Sequence, residues 1–445
     1  MSEWQKVKIG DFLKRIKRPV VLENEKEYKL VTIQLHHKGV KLRGHKKGCE
    51  IKSKMHEVKG GDFILSGIDA RNGAFGIVGD ELTGAIVTND FWYFELNEEL
   101  IDKHFFLELT STKWFDEICR LGSDGTTQRI RLQKSKFFDQ EIYLPSVDKQ
   151  RDFSKKFISV KQEKAKLDKE NTFQKSHLTL LHQQILQDAI SGKLTADWRA
   201  ENPDTEPASK LLEQIKAEKE KLIAEKKIKK EKALPPISED EVPFELPEGW
   251  EWCRLGTVGL FERGKSKHRP RNDQILFRNG DIPFVQTGDV AQSKKTDYQI
   301  NTCKTYYNET GLKQSRLWSK GTLCITIAAN IAETGFLGID ACFPDSVVGY
   351  NPLIDEYTSK YVQIFIEVSK SNIQEYAPAT AQKNINLGII SLLSIPLPPR
   401  AEQRAIVAKV ERLMGYVSQL EEKIAQNANS AEALIQAFLG EVFRK

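Results

Sequence analysis

Pro396-Leu397-Pro398-Pro399-Arg400-Ala401-Glu402-Gln403-Arg404 opens the stretch whose reading decides the fold, residues 396–445. The proline cluster ends whatever element precedes it. No Gly or Pro then occurs until Gly415, and apolar residues fall at Ile406, Val410, Leu413, Val417, Leu420 and Ile424. The steps alternate between four and three residues. Such a heptad seam predicts a long helix packed lengthwise on another helix. The same stepping runs on through Asn427, Ala431, Leu434 and Phe438, so the stripe weakens but persists.

The stretch has a copy. Leu144-Pro145-Ser146-Val147-Asp148-Lys149-Gln150-Arg151 reads like Leu397 to Arg404. At that one offset, Phe153, Phe157, Val160 and Leu167 take the places of Ile406, Val410, Leu413 and Leu420. Leu181 and Ile185 take those of Leu434 and Phe438, while Lys164, Asn171 and Gln174 interrupt the stripe. An internal repeat of this length governs the architecture. It predicts a duplicated chain, a globular part followed by a long helix, twice over, and the simplest partner for one seam is the other.

The chain's 445 residues allow two to three domains with their own cores. We read 1–145 as a first globular domain, 146–200 as a central long helix, and 201–247 as a charged helix and linker. A second globular domain follows at 248–395, and a distal long helix at 396–445. Strands are expected at 28–33, 62–66, 75–78, 86–88 and 91–96, and a helix over 102–119. Gly192 stands where a helix C-cap is wanted. A solvated helix is expected over 208–232, including the Lys226–Lys230 charge run.

The two globular parts share anchors. Trp4 with Lys8-Ile9-Gly10 matches Trp250 with Arg254-Leu255-Gly256. Gly60 to Ile64 resembles Ser319 to Leu323, and Thr127-Gln128-Arg129 resembles Ala381-Gln382-Lys383. Between the anchors the halves differ widely, as expected of two related modules that read two different things.

Composition bounds the function. The chain is 29% charged and 40% hydrophobic, as in soluble globular proteins. No apolar run is long enough to span a membrane, and the N-terminus lacks the apolar centre of a signal peptide. Six scattered cysteines without a Cys-x-x-Cys pair read as free thiols of a cytoplasmic protein. The histidines do not cluster with carboxylates or thiols at metal-ligand spacing, so no metal is expected. His36 and His37, on a strand, would face opposite ways. A net charge of +5 permits a polyanion partner without demanding one.

Enzyme signatures are sparse. Gly259 to Ser266 fits the phosphate-loop spacing G-x-x-x-x-G-K-S, a loop that works only between a strand and a helix whose N-terminus faces the phosphates. Pro270 is badly placed for that helix. What remains is a set of basic, amide-bearing loops. In the first module they offer Lys38, Arg43, Lys46, Arg71, Asn72, Thr127, Gln128 and Arg129. In the second they offer Lys265, Lys267, Arg269, Arg271, Gln286, Asn330, Gln382, Lys383 and Asn384. Arg and Lys suit phosphates and guanine edges; Gln and Asn suit adenine.

With these residues in view the whole chain resembles the specificity subunits of Type I restriction–modification enzymes. The resemblance rests on the duplicated entry at Leu397 to Arg404, on Ala189 to Thr195 followed by Trp198-Arg199-Ala200-Glu201-Asn202-Pro203, and on the opener Leu246-Pro247-Glu248-Gly249-Trp250. It implies an α+β fold, with two mixed α/β target-recognition domains separated by two long antiparallel helices in a coiled coil, internally duplicated with pseudo-twofold symmetry. No counterpart of Gly192 to Pro203 follows the second helix before Lys445. The resemblance also implies that each domain reads half of a split site in double-stranded DNA. The helices would set the spacer and dock two DNA-methyltransferase subunits, with restriction/translocase subunits joining the assembly. The subunit itself would be non-catalytic. S-adenosylmethionine, ATP and magnesium would belong to partner subunits. Two other classes stay open on the sequence: a nucleotide-binding protein built on Gly259–Ser266, and a coiled-coil scaffold without DNA specificity.

Overall fold

A computed structural model describes residues 4–110, 112–124, 130–230, 232–328, 331–370 and 386–443. The chain divides into two compact units, Met1–Thr172 with Ala425–Lys445, and Phe173–Ile424. Each long helix is continuous, Val147–Ile190 and Arg400–Phe443, 44 residues apiece.

In the first unit a strand at Trp4–Lys8 pairs antiparallel with Glu141–Pro145, which runs straight into the first long helix. A four-stranded sheet has the order Leu13–Ile16, Phe91–Leu96, Phe63–Ser66, Phe75–Ile77. Both of its faces are buried. Phe63, Leu65, Trp92 and Phe94 point into a core closed by Phe105, Phe106, Leu109 and Phe115, which the helices Lys103–Thr110 and Lys113–Leu121 supply. Ile64 and Tyr93, one residue out of phase, point into a second core with Val31, Ile33 and Val87. That is the period-2 alternation of a strand used on both sides. The second core is roofed by a five-stranded sheet, Pro19–Val20, Met55–Glu57, Ile86–Thr88, Glu27–Ile33, Val40–Lys47, the last at its edge.

The second unit repeats the frame. Glu251–Arg254 pairs with Ser394–Leu397, which leads into the second long helix. The sheet order is Leu260–Arg263, Val347–Asn351, Leu323–Thr326, Thr334–Leu337, then Gln299–Ile300 added in parallel. Leu323 and Ile325 face one core and Cys324 the other, as Phe63 and Leu65 oppose Ile64. The matched glycines Gly61 and Gly321 both hold positive φ, 87° and 89°, in the turn before the central strand.

The repeated Gln explains why the helix entries are alike. Gln150 is fully buried in the first turn of its helix. Its amide donates to the carbonyls of Pro145 and Leu100, and its oxygen accepts from the backbone of Asp102. Gln403, also fully buried, donates to the Pro398 carbonyl and accepts from Thr358. Each side chain ties a long helix to the cap of its module's own helix. There Asp102 accepts from Phe105 and Ser154, and Asp355 from Tyr357, Arg400 and Arg404. The repeat is visible in the sequence; the burial of its glutamine is not.

Within each unit the long helices run antiparallel. In the first, Phe157 stacks on Phe438 at 5.8 Å and Lys164 pairs with Glu432 at 3.4 Å, so one number rises as the other falls. In the second, Leu178, Ile185 and Ala189 share a core with Ile406, Val410, Val417 and Ile424. Of the other expected seam residues, Phe153 and Leu413 are partly buried, and Val160 and Leu167 are half-buried. Leu181 and Leu420 depart from the seam, 44% and 48% exposed, as does Leu434 at 69%. Ile435, the next residue, is buried. A strict heptad drifts about 20° per repeat on an α-helix of 3.6 residues per turn. At the end of the second helix the buried face has moved on by one residue, from Leu434 to Ile435.

Other differences are local. The helix expected over 102–119 is broken into Lys103–Thr110 and Lys113–Leu121. The charged helix stops at Ala224, ahead of the Lys226–Lys230 run, with Lys226 at positive φ. Like charges one turn apart oppose helix formation.

Candidate nucleic-acid interface

In the first module the basic loops converge. His36 and His37 do not lie on a strand but at a hairpin tip, both at positive φ, 59° and 58°. Their backbone amides donate to Asn72 and Gly73 carbonyls at 2.9 and 3.0 Å. The His37 ring stacks on Phe75 and bonds Asp116 at 2.9 Å. This fastens the loop carrying Lys38 to the one carrying Arg71 and Asn72. The outgoing strand Val40–Lys47 is the sheet edge, and its register slips opposite Leu30 and Val31, leaving Arg43 as the bulged residue. Lys38, Arg43 and Lys46 are exposed, and none of them, nor Lys41 or Arg71, has an acidic partner among the described residues. An edge so charged resists pairing with another strand, and its cations stay exposed to solvent. Thr127, Gln128 and Arg129 lie outside the described residues. The stem that carries them, Ser123–Asp124 with Arg131–Leu132, is fixed by an Arg131–Asp90 pair at 3.0 Å.

In the second module Gly259–Ser266 is no phosphate loop. Its middle, Leu260–Arg263, is a sheet strand. The amides that would cradle a phosphate are already engaged: Gly264 donates to Val347, Lys265 to Phe343, and Lys267 and His268 both to the Gln314 side chain. Beyond Ser266 the chain runs as a loop, and the next helical turn begins only at Gln274. The Lys265 and Lys267 side chains are exposed, without an acidic partner among the described residues. Arg269 instead donates to the Ser266 and His268 carbonyls, and the Arg271 guanidinium pairs with Asp345 at 2.7 Å. Gln286 is exposed, its amide donating to Thr305 at 3.1 Å. Arg271 and Gln286 border one cleft of about 520 Å³, together with Asn272, Gln274 and Thr287, over Phe277 and Phe284. Asn272 and Gln274 are new to the set; only their side-chain type could have signalled them. Asn330, Gln382, Lys383 and Asn384 lie outside the described residues.

Burial pushes the thiols of Cys119, Cys253 and Cys324 up, that of Cys253 to about 12, the opposite of an activated nucleophile. Among the described residues no group of three or more His, Cys, Asp or Glu could hold a metal ion, and no helix is long and apolar enough to cross a membrane.

The duplicated frame and its divergent basic loops define a class, and the comparisons agree on it. The family model for the Type I restriction modification DNA specificity domain matches residues 1–172 and 247–430. The chain belongs to that family. It is 31% identical over 279 residues to the specificity subunit of the Type I restriction enzyme EcoEI of Escherichia coli, and 31% over 252 residues to that of EcoAI from the same organism. The matches take in 58% and 54% of this chain, which spans about half the length of those relatives or less, 45% and 40%. Among solved structures, the HsdS subunit from Thermoanaerobacter tengcongensis superposes with a TM-score of 0.61 at 16% identity, covering 100% of this chain and 97% of that one. A chain from a study of complex assembly and conformational transition in the type I R-M system gives 0.68 at 17%, covering 100% and 98%. At such identities the likeness is one of fold.

Proposed function

We propose that this chain is the sequence-reading subunit of a Type I restriction–modification assembly. Each module reads half of a bipartite site in double-stranded DNA, and the long helices set the spacer between halves. The observation that carries this reading is one sheet frame built twice, each time running through a buried Gln into a long helix, with loops of different composition. A scaffold kept while its loops diverge suits two readers of two sequences. Loop cations without acidic partners suit phosphates, and loop amides suit base edges.

The same helices dock two methyltransferase subunits, and restriction/translocase subunits complete the assembly. In support, Phe173, Leu180 and Leu181 on the first helix and Tyr416 and Leu420 on the second are large apolar side chains left exposed. Exposed apolar side chains at this spacing along a pair of helices suit a protein partner. Chemistry resides in the partners: S-adenosylmethionine with the methyltransferase, ATP and magnesium with the restriction subunits, all in the cytoplasm.

The experiment is an exchange of residues 1–145 for another first module, followed by methylation mapping of the assembled complex. One half-site changes and the other stays. A change in both halves, or in neither, overturns the reading.

A further inference from the structure

Resting on that reading, we propose that the cleft of the second module is its base-reading site, with Arg271 and Gln286 as specificity-determining residues and Asp345 as the positioning residue. Two features separate this cleft from an ordinary polar surface. The Arg271 guanidinium is oriented in advance. One terminal nitrogen, Nη2, lies 2.7 and 2.8 Å from the two carboxylate oxygens of Asp345. Asp345 is itself anchored, since Arg263 donates to its backbone carbonyl twice, at 3.0 and 2.7 Å. The opposite wall is also set. Gln286 donates its side-chain amide to Thr305, and its backbone amide is held by Asp289 at 2.9 Å. The Gln286 side-chain oxygen and its second N–H make no hydrogen bond among the described residues, and neither does the Nη1 end of Arg271.

Such groups pay their ordering entropy before binding, which favours discrimination over bulk affinity. The Nη1 end left free on the oriented guanidinium has two N–H donors for the guanine O6 and N7 acceptors, and an oriented amide offers a donor and acceptor matching adenine. Phosphate attraction falls to Lys265 and Lys267, which lie on the same loop and lack acidic partners among the described residues. The site therefore divides its work by chemistry: paired side chains read, unpaired ones hold.

The test uses the assembled complex and a duplex library randomised over both half-sites, with bound and methylated sequences counted. Arg271→Ala relaxes preference at one position of a single half-site by roughly 5- to 150-fold, and Gln286→Ala does so at another. Asp345→Asn keeps the charge of Arg271 but loosens its aim, so it relaxes the Arg271 position alone. A merely structural loss would lower binding evenly across the library. Gln286→Glu is the companion variant should Gln286→Ala fail to fold; replacing the amide donor by a second acceptor shifts the preferred base from adenine towards cytosine, whose N4 amine donates. Uniform weakening, unchanged preference, or relaxation in both half-sites overturns the assignment. A wild-type complex with no sequence preference at all would instead overturn the reading of the whole chain.

Discussion

The two modules share a skeleton and differ in how they pair their charges. In the first, the cations of the candidate face stand alone: Lys38, Lys41, Arg43, Lys46 and Arg71 have no acidic partner among the described residues. In the second, Arg269 and Arg271 are held by carbonyls and by Asp345, leaving Lys265 and Lys267. The contrast repeats at one matched position. Lys8 meets Asp139 at 3.5 Å on the surface, both side chains more than half exposed. Arg254 is 4% exposed and pairs with buried Glu241, while also donating to the carbonyls of Pro235, Pro236 and Leu392. The linker is thereby strapped to the second module. The lesson is that duplication preserved topology, which backbone pairing and core alternation enforce, and released electrostatics, which they do not.

The largest effect that would break this comparison is at Arg254. Removing one partner of a buried ion pair costs about 3–5 kcal/mol. Arg254→Ala should lower hydrogen-exchange protection of second-module amides by that amount, whereas Lys8→Ala should stay within about 1 kcal/mol. A pH dependence comes with it. The Arg254 guanidinium holds the Glu241 carboxyl at about 2, against about 4.3 in an unfolded chain. This contribution is whole above about pH 4.3 and is lost as pH falls through about 2. Arg254→Ala should flatten that acid limb; equal acid limbs in both proteins would remove the strap from the account.

Next in size is the salt dependence of DNA binding. Each phosphate contact contributes about 0.9 to the log–log slope. Replacing Lys38, Arg43 and Lys46 together by Gln should reduce the slope by up to ~2.7, and Lys265→Ala by about 0.9. Arg271→Ala should scarcely change it. If Arg271 and Lys265 moved the slope alike, the division between paired readers and unpaired holders would collapse. Smaller again is the loss of the shared glutamine. Gln150→Leu leaves the Pro145 and Leu100 carbonyls and the Asp102 amide without that partner, and Gln403→Leu leaves the Pro398 carbonyl and the Thr358 hydroxyl, at about 1–3 kcal/mol each. The first substitution should be the costlier; the reverse order would show that these bonds do not set the cost.

The sequence reveals what is periodic or repeated. The two long helices and the strands at 86–88 and 91–96 are where hydrophobic spacing puts them, and the anchors Lys8 and Arg254, like Gly61 and Gly321, hold matched places in the two modules. Broken periods are illegible: the Gly259–Ser266 spacing matches a phosphate loop, yet only strand pairing shows that its amides are already used. The site is legible as residue types and not as geometry. Arg271 and Lys265 look alike in a sequence, and what separates them is Asp345, more than seventy residues away. Asn272 and Gln274 escape a reading by sequence because nothing local distinguishes a cleft wall from a loop.

The smallest effect tests the helix seam. The heptad reading puts Leu434 inward, one step after Ala431; the structure leaves it 69% exposed and buries Ile435 instead. In the first helix Leu181 is likewise turned out, 44% exposed, while Leu178 and Ile185 stay buried. An α-helix that stays near 3.6 residues per turn cannot keep a 3.5-residue stripe on one line, so by its later turns the fourth residue replaces the third. Leu434→Ser should therefore change stability by no more than about 0.5 kcal/mol, while Ile435→Ala should cost about 2–5 kcal/mol through its cavity. Both are read by amide exchange in the first unit, where Phe438 stacks on Phe157 one turn further on. Were Leu434→Ser the costly substitution, the helices would be coiled to a true heptad and the drift would be absent.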